Sequence, residues 1–364
     1  MTGLYLHIPF CKSKCAYCDF YSVSTDEAVR NNYLNALINE FSRYRGAAID
    51  TVYIGGGTPS LLSAKEIDRL LSAVHHSFSV DANSEITVEA NPADHLKDFF
   101  LAAAAGGVNR LSLGVQSSDR EELRLLSRRH SNTDVERTVL DAQNAGIRNL
   151  SLDLMLGIPN QTEASLMSSL EFLLGFSPCH ISAYMLSLEP NTPLYAAQKS
   201  LKLPSAEKTA ELYLMTVNAL NRRGFMQYEI SNFSKKGFES RHNLKYWCLE
   251  EYIGIGPAAH GFLGGRRYCY SRDLEAFIKN PQPVDCGSGG DAEEYMMLRL
   301  RLSKGLDLQE FKMRYFDLPP SFLKKAALLE SHGLINTCQN SLRLTPSGFL
   351  VSNEVIAELL ATVF

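Results

Sequence analysis

What this 364-residue chain lacks narrows it first. It has no positive excess: 36 Lys and Arg stand against 40 Asp and Glu, a net charge of -4, so no surface that coats nucleic acid is expected. No apolar run approaches the roughly twenty residues that cross a bilayer, which leaves only peripheral membrane contact open. The opening Met1-Thr-Gly-Leu-Tyr-Leu-His lacks the basic-then-apolar pattern of a secretory signal. The eight cysteines do not form a disulfide framework, so a reducing, cytoplasmic setting is expected. There is one tryptophan, Trp247, and neither an internal repeat nor a low-complexity tract. With 45% apolar and 21% charged residues, the chain reads as a soluble globular protein with one large domain and a smaller one.

Three of the cysteines fall together. Cys11-Lys-Ser-Lys-Cys15-Ala-Tyr-Cys18 has the spacing C-x3-C-x2-C and follows an apolar run, Leu4 to Phe10, that reads as a strand closed by Pro9. A tight loop at a strand end can turn three thiolates toward one place, which suits an iron–sulfur cluster. A four-iron cube would then keep one iron open for another ligand. Two alternatives compete. Cys15 and Cys18 read as half a zinc site, but Cys179, Cys248, Cys269, Cys286 and Cys338 stand alone and supply no second pair. A C-x-x-C redox pair would leave Cys11 idle.

Strand patterns at 3–8, 51–54, 86–90, 110–115, 150–155 and 181–186 alternate with helical patterns at 26–45, 62–77, 95–106, 119–128, 132–145, 162–175 and 206–223. Repeated βα units predict an α/β fold with a parallel sheet, an incomplete six-unit TIM-like barrel rather than an open sheet. Either arrangement places ligands at the carboxyl ends of the strands. The notable residues sit there. Gly55-Gly56-Gly57-Thr58-Pro59-Ser60 follows the second strand and reads as a backbone nest for an anion, or simply as a Gly-rich turn that starts a helix. Glu89-Ala-Asn91-Pro92, Asn109 to Ser117 and Asp153 to Thr162 close the next three. Glu89 and Asp153 interrupt apolar runs. They either pair with Arg110 and Arg128 inside the barrel or, with Gln116, bind a polar cofactor at its mouth; three successive strands contributing polar residues at one end favour the second.

Taken in order, Tyr5-Leu-His7-Ile-Pro9-Phe-Cys11, GGGTPS, EANP, NRLSLGVQS and DLMLGIPNQT resemble the oxygen-independent coproporphyrinogen III oxidase-like branch of the radical S-adenosylmethionine (SAM) family, over nearly the whole chain. The resemblance implies that Cys11, Cys15 and Cys18 ligate a [4Fe–4S] cluster whose open iron is chelated by SAM. It places Tyr5, Gly56 and Glu89 around that SAM. Gly57, Thr58, Gln116, Arg128 and Asp153 match positions that bind a second SAM in the dehydrogenase of this branch.

Further on, Arg241-His242-Asn243-Leu-Lys-Tyr246-Trp247 reads on chemistry alone as an aromatic packing segment. The resemblance makes its HNxxYW a heme-binding motif, with His242 the expected ligand, Asn243, Tyr246 and Trp247 beside it, and Cys248 a lesser candidate. Gly254 to His260 reads as a turn facing the barrel mouth, and 266–290 as loop. The expected organisation is a barrel over 1–236, a connecting segment over 237–290, and a winged-helix-like α+β unit over 291–364 that partly covers the mouth. Its basic residues are interleaved with acidic ones and read as a solvated face.

Two functions follow from the resemblance: a heme chaperone that passes heme to an acceptor protein, or a dehydrogenase that decarboxylates coproporphyrinogen III through a radical made from SAM. The dehydrogenase continues its motif to a fourth cysteine and carries a longer segment before the first. Here Asp19-Phe20 stands at the former place and ten residues precede Cys11, which favours the heme chaperone and assigns no catalytic residue.

Overall fold

A computed structural model describes residues 1–93, 95–338 and 340–364. Fifteen strands follow in chain order among them: β1 (Thr2–Ile8), β2 (Ala48–Gly56), β3 (Ser79–Ala90), β4 (Arg110–Gln116), β5 (Asn149–Leu156), β6 (His180–Met185), β7 (Met226–Gln227), β8 (Asn232–Ser234), β9 (Tyr252–Ile255), β10 (His260–Leu263), β11 (Arg266–Cys269), β12 (Val284–Ser288), β13 (Leu306–Asp307), β14 (Ile335–Cys338) and β15 (Ser341–Leu344). Strands β1 to β6 pair in sequence order and parallel, as the βα alternation predicts. The antiparallel β8 and β7 continue one edge from β6. The ends of the sheet do not meet, so the barrel is partial.

The alternation of strand side chains explains how the barrel is filled. Outward residues such as Leu4, Leu6, Val52, Ile54, Val88, Leu111, Leu113, Leu152 and Leu154 are buried beneath the surrounding helices. Register sets Glu89, Ser112, Ser151 and His180 side by side across β3 to β6, with Asp153 beside Ser182 one step further, and this face is polar. Local chemistry starts the helices. Ser63 with Glu66, Ser131 with Asp134, and Thr162 with Ser165 form reciprocal capping pairs at the helices Ala64–Ser77, Asn132–Asn144 and Glu163–Leu174.

One expectation is corrected here. The 266–290 stretch is not merely loop. Tyr252–Ile255 runs parallel to β1, and β10, β11 and β12 extend that edge antiparallel. All four are short, and β11 and β12 are half-exposed, so they lack the apolar runs by which buried strands are read. They also bring the sulfurs of Cys269 and Cys286 within 3.2 Å. Residues 291–364 form a helical unit with the small sheet β13-β15-β14. Its contacts with the rest of the chain include Leu302, bridged to Glu229, the Ser303 N–H donated to the Tyr228 carbonyl, Arg299, which donates to the Cys248 sulfur at 3.3 Å, and Glu294, which pairs with Arg267.

Candidate functional site

The cysteine loop is held at both ends by backbone. Val23 N–H donates to Pro9 O (2.7 Å) and Cys11 N–H to Val23 O (3.0 Å), which closes the loop on the end of β1. Midway, Ala16 donates to Leu126 O and accepts from Leu194 N–H, tying the loop to two neighbouring segments. The glycines after β2 make room for it. A Cβ on Gly57 would stand 2.7 Å from the Phe10 carbonyl, and one on Gly56, at φ +114°, 2.7 Å from the His7 ring. The nest reading does not hold for these two. Gly56 N–H donates to Glu89 Oε2 (3.0 Å) and Gly57 N–H to Ile8 O (2.8 Å), so both donors are taken within the protein.

Cys11, Cys15 and Cys18 line one cavity of about 140 Å³ with Gly56, Gly57, Glu89, Gln116, Arg128 and Asp153. The sequence-predicted residues of five separate strand ends therefore meet. Among the described residues no three His, Cys, Asp or Glu side chains are gathered as ligands of a single metal ion would be. Burial pushes the Cys18 thiol up, and the neighbouring Cys15 and Cys11 push it further. A cationic cluster offsets both effects, so this set of three soft donors around an open cavity fits a [4Fe–4S] group.

The side chains facing the thiols are locked. Glu89 Oε1 accepts from Tyr53 OH at 2.7 Å. Burial raises the Glu89 carboxyl, and it raises Asp153 to about 7, with Glu89 adding to the effect and Arg128 and Arg110 opposing it. Arg128 Nη1 donates to Asn91 Oδ1, Asn91 Nδ2 donates to Thr58 Oγ1 (2.8 Å), and Thr58 Oγ1 lies 3.4 Å from Cys11 Sγ. Gly114 permits this, since a Cβ there would meet Arg128 Nη2 at 2.8 Å. Gln116 is buried in the left-handed region at φ +73° and accepts from Tyr184 OH at 2.6 Å. A non-glycine residue held there at a strand end is characteristic of strained functional positions. Thr58 sits at the rim of an outer pocket with Cys15 rather than among the cavity residues. Tyr5 is separate: its ring stacks on Tyr53 and its hydroxyl meets His7 Nδ1 at 2.9 Å.

A second cavity of about 580 Å³ runs from Cys18, Phe20 and Tyr184 down the barrel to Arg110, His180 and Asn243. Arg110 is 1% exposed, and its Nε and Nη1 have no hydrogen-bond partner among the described residues. Sequence reasoning saw Arg110 only as a pairing option and overlooked Tyr53, Asn91, Tyr184 and His180. Tyr184 and His180 were legible as alternate residues of the sixth strand; the others required the register.

The HNxxYW residues occupy the short helix Arg241–Trp247 at the barrel's amino end, where the Lys245 ammonium donates to the Met1 carbonyl and to Asp50 Oδ2. Glu85 accepts the N–H groups of Arg241 and His242, both at 3.1 Å. His242 has no exposed surface. Its Nδ1 meets Thr51 Oγ1 and its Nε2 meets Tyr246 OH, each at 2.8 Å, and its ring stacks on Tyr53. Burial lowers its pKa to about 3, with Lys245 and Arg110 assisting. The neutral ring thus has both nitrogens engaged and offers neither to iron in this state. Asn243 lines the large cavity and Tyr246 a separate cleft, so this motif is not gathered on one face.

The comparisons agree with this geometry. Residues 5–173 match the Radical SAM superfamily and residues 291–351 the HemN C-terminal domain. The chain is similar to the heme chaperone HemW of Bacillus subtilis (36% identity, covering 99% of each chain) and to that of Escherichia coli (34%, covering 99% of this chain and 98% of the relative). It is 40% identical to the mitochondrial radical S-adenosyl methionine domain-containing protein 1 of Bos taurus, covering 99% of this chain and 87% of the relative. In fold it resembles coproporphyrinogen III oxidase (HemN) from Escherichia coli, with a TM-score of 0.84 at 22% identity, covering 98% of this chain and 89% of that one. No described helix is long and apolar enough to cross a membrane. The chain therefore belongs to the heme chaperone HemW family of radical SAM proteins.

Proposed function

We propose that this protein binds heme and passes it to an acceptor protein, with a [4Fe–4S] cluster and SAM held at the barrel mouth. The observation that carries the reading is the full-length similarity to heme chaperones, joined to a cysteine loop that opens onto a polar cavity. Cys11, Cys15 and Cys18 are the proposed cluster ligands. Glu89, Gln116, Arg128 and Asp153 are the proposed contacts of SAM, with Gly56, Gly57 and Thr58 shaping the wall behind the loop. Held by these residues, the cluster and SAM would supply one-electron chemistry. The chain's own residues orient and desolvate: Tyr53 fixes the Glu89 carboxylate, Tyr184 fixes Gln116, and Asn91 fixes Arg128. Residues 1–236 form the proposed cluster and SAM unit, 237–290 the link that carries HNxxYW, and 291–364 the accessory unit. The second reading is the dehydrogenase, supported by the fold likeness alone.

The test is anaerobic reconstitution with iron and sulfide. The wild type is expected to hold about four irons per chain with visible absorption of a cube, and to take up hemin. Cys11, Cys15 and Cys18 replaced together by Ala should lose the iron. A triple variant that keeps the cluster signals contradicts the ligand set.

A further inference from the structure

Beside the cysteine loop lies a third, open cleft of about 370 Å³, lined by Tyr5, His7, Phe20, Tyr246, Tyr252, His260 and Arg272 among others. Resting on the heme reading above, we propose that this cleft seats the heme, with His260 as the axial ligand and Arg272 against a propionate.

The assignment proceeds by elimination. Four histidines touch the cleft, the large cavity or the HNxxYW helix: His7, His180, His242 and His260. His7 is 5% exposed and uses both nitrogens, Nδ1 on Tyr5 OH and Nε2 on Tyr21 O at 3.0 Å. His180 uses Nδ1 on Ser151 Oγ (2.7 Å) and Nε2 on Tyr228 OH (2.8 Å). His242 is bonded to Thr51 and Tyr246. His260 alone of the four is exposed and carries no side-chain hydrogen bond among the described residues. An iron ligand must present a ring nitrogen free of a protein partner, and of these four only His260 does among the described residues.

The backbone behind His260 is built to place it. A Cβ on Gly254 would lie 1.8 Å from the His260 carbonyl, so glycine alone lets the returning chain cross β9. The turn before it is pinned by Ala259 N–H to Gly256 O (3.0 Å), Ala258 N–H to Ser271 O (3.0 Å) and Tyr270 N–H to Ala259 O (2.9 Å). Ala258, a lining residue of the cleft, is held at φ +65°. Such strain persists where the surroundings fix a functional conformation.

The remaining walls suit a flat macrocycle with carboxylate arms. Tyr246 and Tyr252 meet edge to face with centroids 4.5 Å apart. Phe20 is 70% exposed and lines this cleft, the thiol cavity and the large cavity together. Arg272 is 57% exposed in its side chain and among the described residues is tied to Asp19, by its backbone carbonyl at 2.7 Å and its carboxylate at 3.9 Å. It is free to meet an anion as a fork. In this arrangement HNxxYW acts on heme through Tyr246: the buried His242 holds the tyrosine hydroxyl, and the ring forms the wall. His242 is then a positioning residue.

Hemin titration of the full-length, reconstituted protein tests this by spectrum and affinity. His260→Ala is expected to weaken binding at least about tenfold and to shift the Soret band. Imidazole added to His260→Gly should restore the wild-type band. Arg272→Ala should weaken binding and leave the band in place. His242→Gln should retain a histidine-ligated spectrum. Wild type that binds hemin, with His260→Ala unchanged in both band and affinity, overturns the assignment and leaves the heme reading standing. Wild type that binds no hemin overturns both.

Discussion

Asp153 shows what the site asks of single residues. Burial, with the neighbouring Glu89 adding to it, raises its carboxyl to about 7, whereas in the unfolded chain it titrates near the ordinary value of 3.8. The folded protein therefore holds a proton that the unfolded chain has released between these values. Asp153 favours folding below about pH 4, and that advantage is lost as pH rises through about 7. Asp153→Asn is expected to raise the melting temperature of the cluster-free protein at pH 8 more than at pH 5, on the order of 1–2 kcal/mol in stability. Equal shifts at both pH values would show that Asp153 ionises normally. The same variant should weaken SAM binding. Gly57 argues a different case: Gly57→Ala drives a methyl against the Phe10 carbonyl, 2.7 Å from the ideal Cβ. The expected cost is about 1–3 kcal/mol, together with a lower iron content per chain after reconstitution. Undiminished iron would mean that the loop shifts freely.

Among the elements, the helix Arg241–Trp247 has the least obvious role. It is only two turns long, and its stability rests on tertiary contacts. Ser240 caps Asn243 N–H, and Glu85 takes the two N–H groups before it. Glu85→Gln should lower stability by about 1 kcal/mol and, through Tyr246, weaken hemin binding in parallel. Thermal melting and titration on one preparation separate the two effects. The buried His242 adds an acid sensitivity. Its folded pKa near 3 lies below the ordinary 6.5, so its contribution is complete above about pH 6.5 and is lost as pH falls toward 3. This element was only half legible in sequence. Aromatic content marked it as special, but nothing in HNxxYW states that a hydroxyl from Thr51, 191 residues away, occupies the imidazole. The strands and helices of the barrel were read well, because period-2 and period-3.6 patterns and the caps at Ser63, Ser131 and Thr162 are local signals. The edge strands β9 to β12 were not, because four- and five-residue strands, two of them half-exposed, are too short to show such a pattern. The thiol cavity was partly legible because Cys11, Gly56, Glu89, Gln116 and Asp153 sit at or near the carboxyl ends of their strands; Arg110 was hidden because its meaning depends on register.

At the scale of the molecule, Phe20, in the loop at the carboxyl end of β1, lines the thiol cavity, the large cavity and the third cleft. The residues 291–364 pack against Tyr228, Glu229 and Cys248. An enzyme acting on coproporphyrinogen III and a chaperone carrying heme would both use this end. They differ in whether substrate is converted. The most direct test is anaerobic incubation of the reconstituted protein with coproporphyrinogen III, SAM and a reductant, followed by porphyrin analysis. The heme-chaperone account predicts no protoporphyrinogen IX from a sample that retains its cluster and binds hemin. SAM-dependent conversion of coproporphyrinogen III to protoporphyrinogen IX would contradict it.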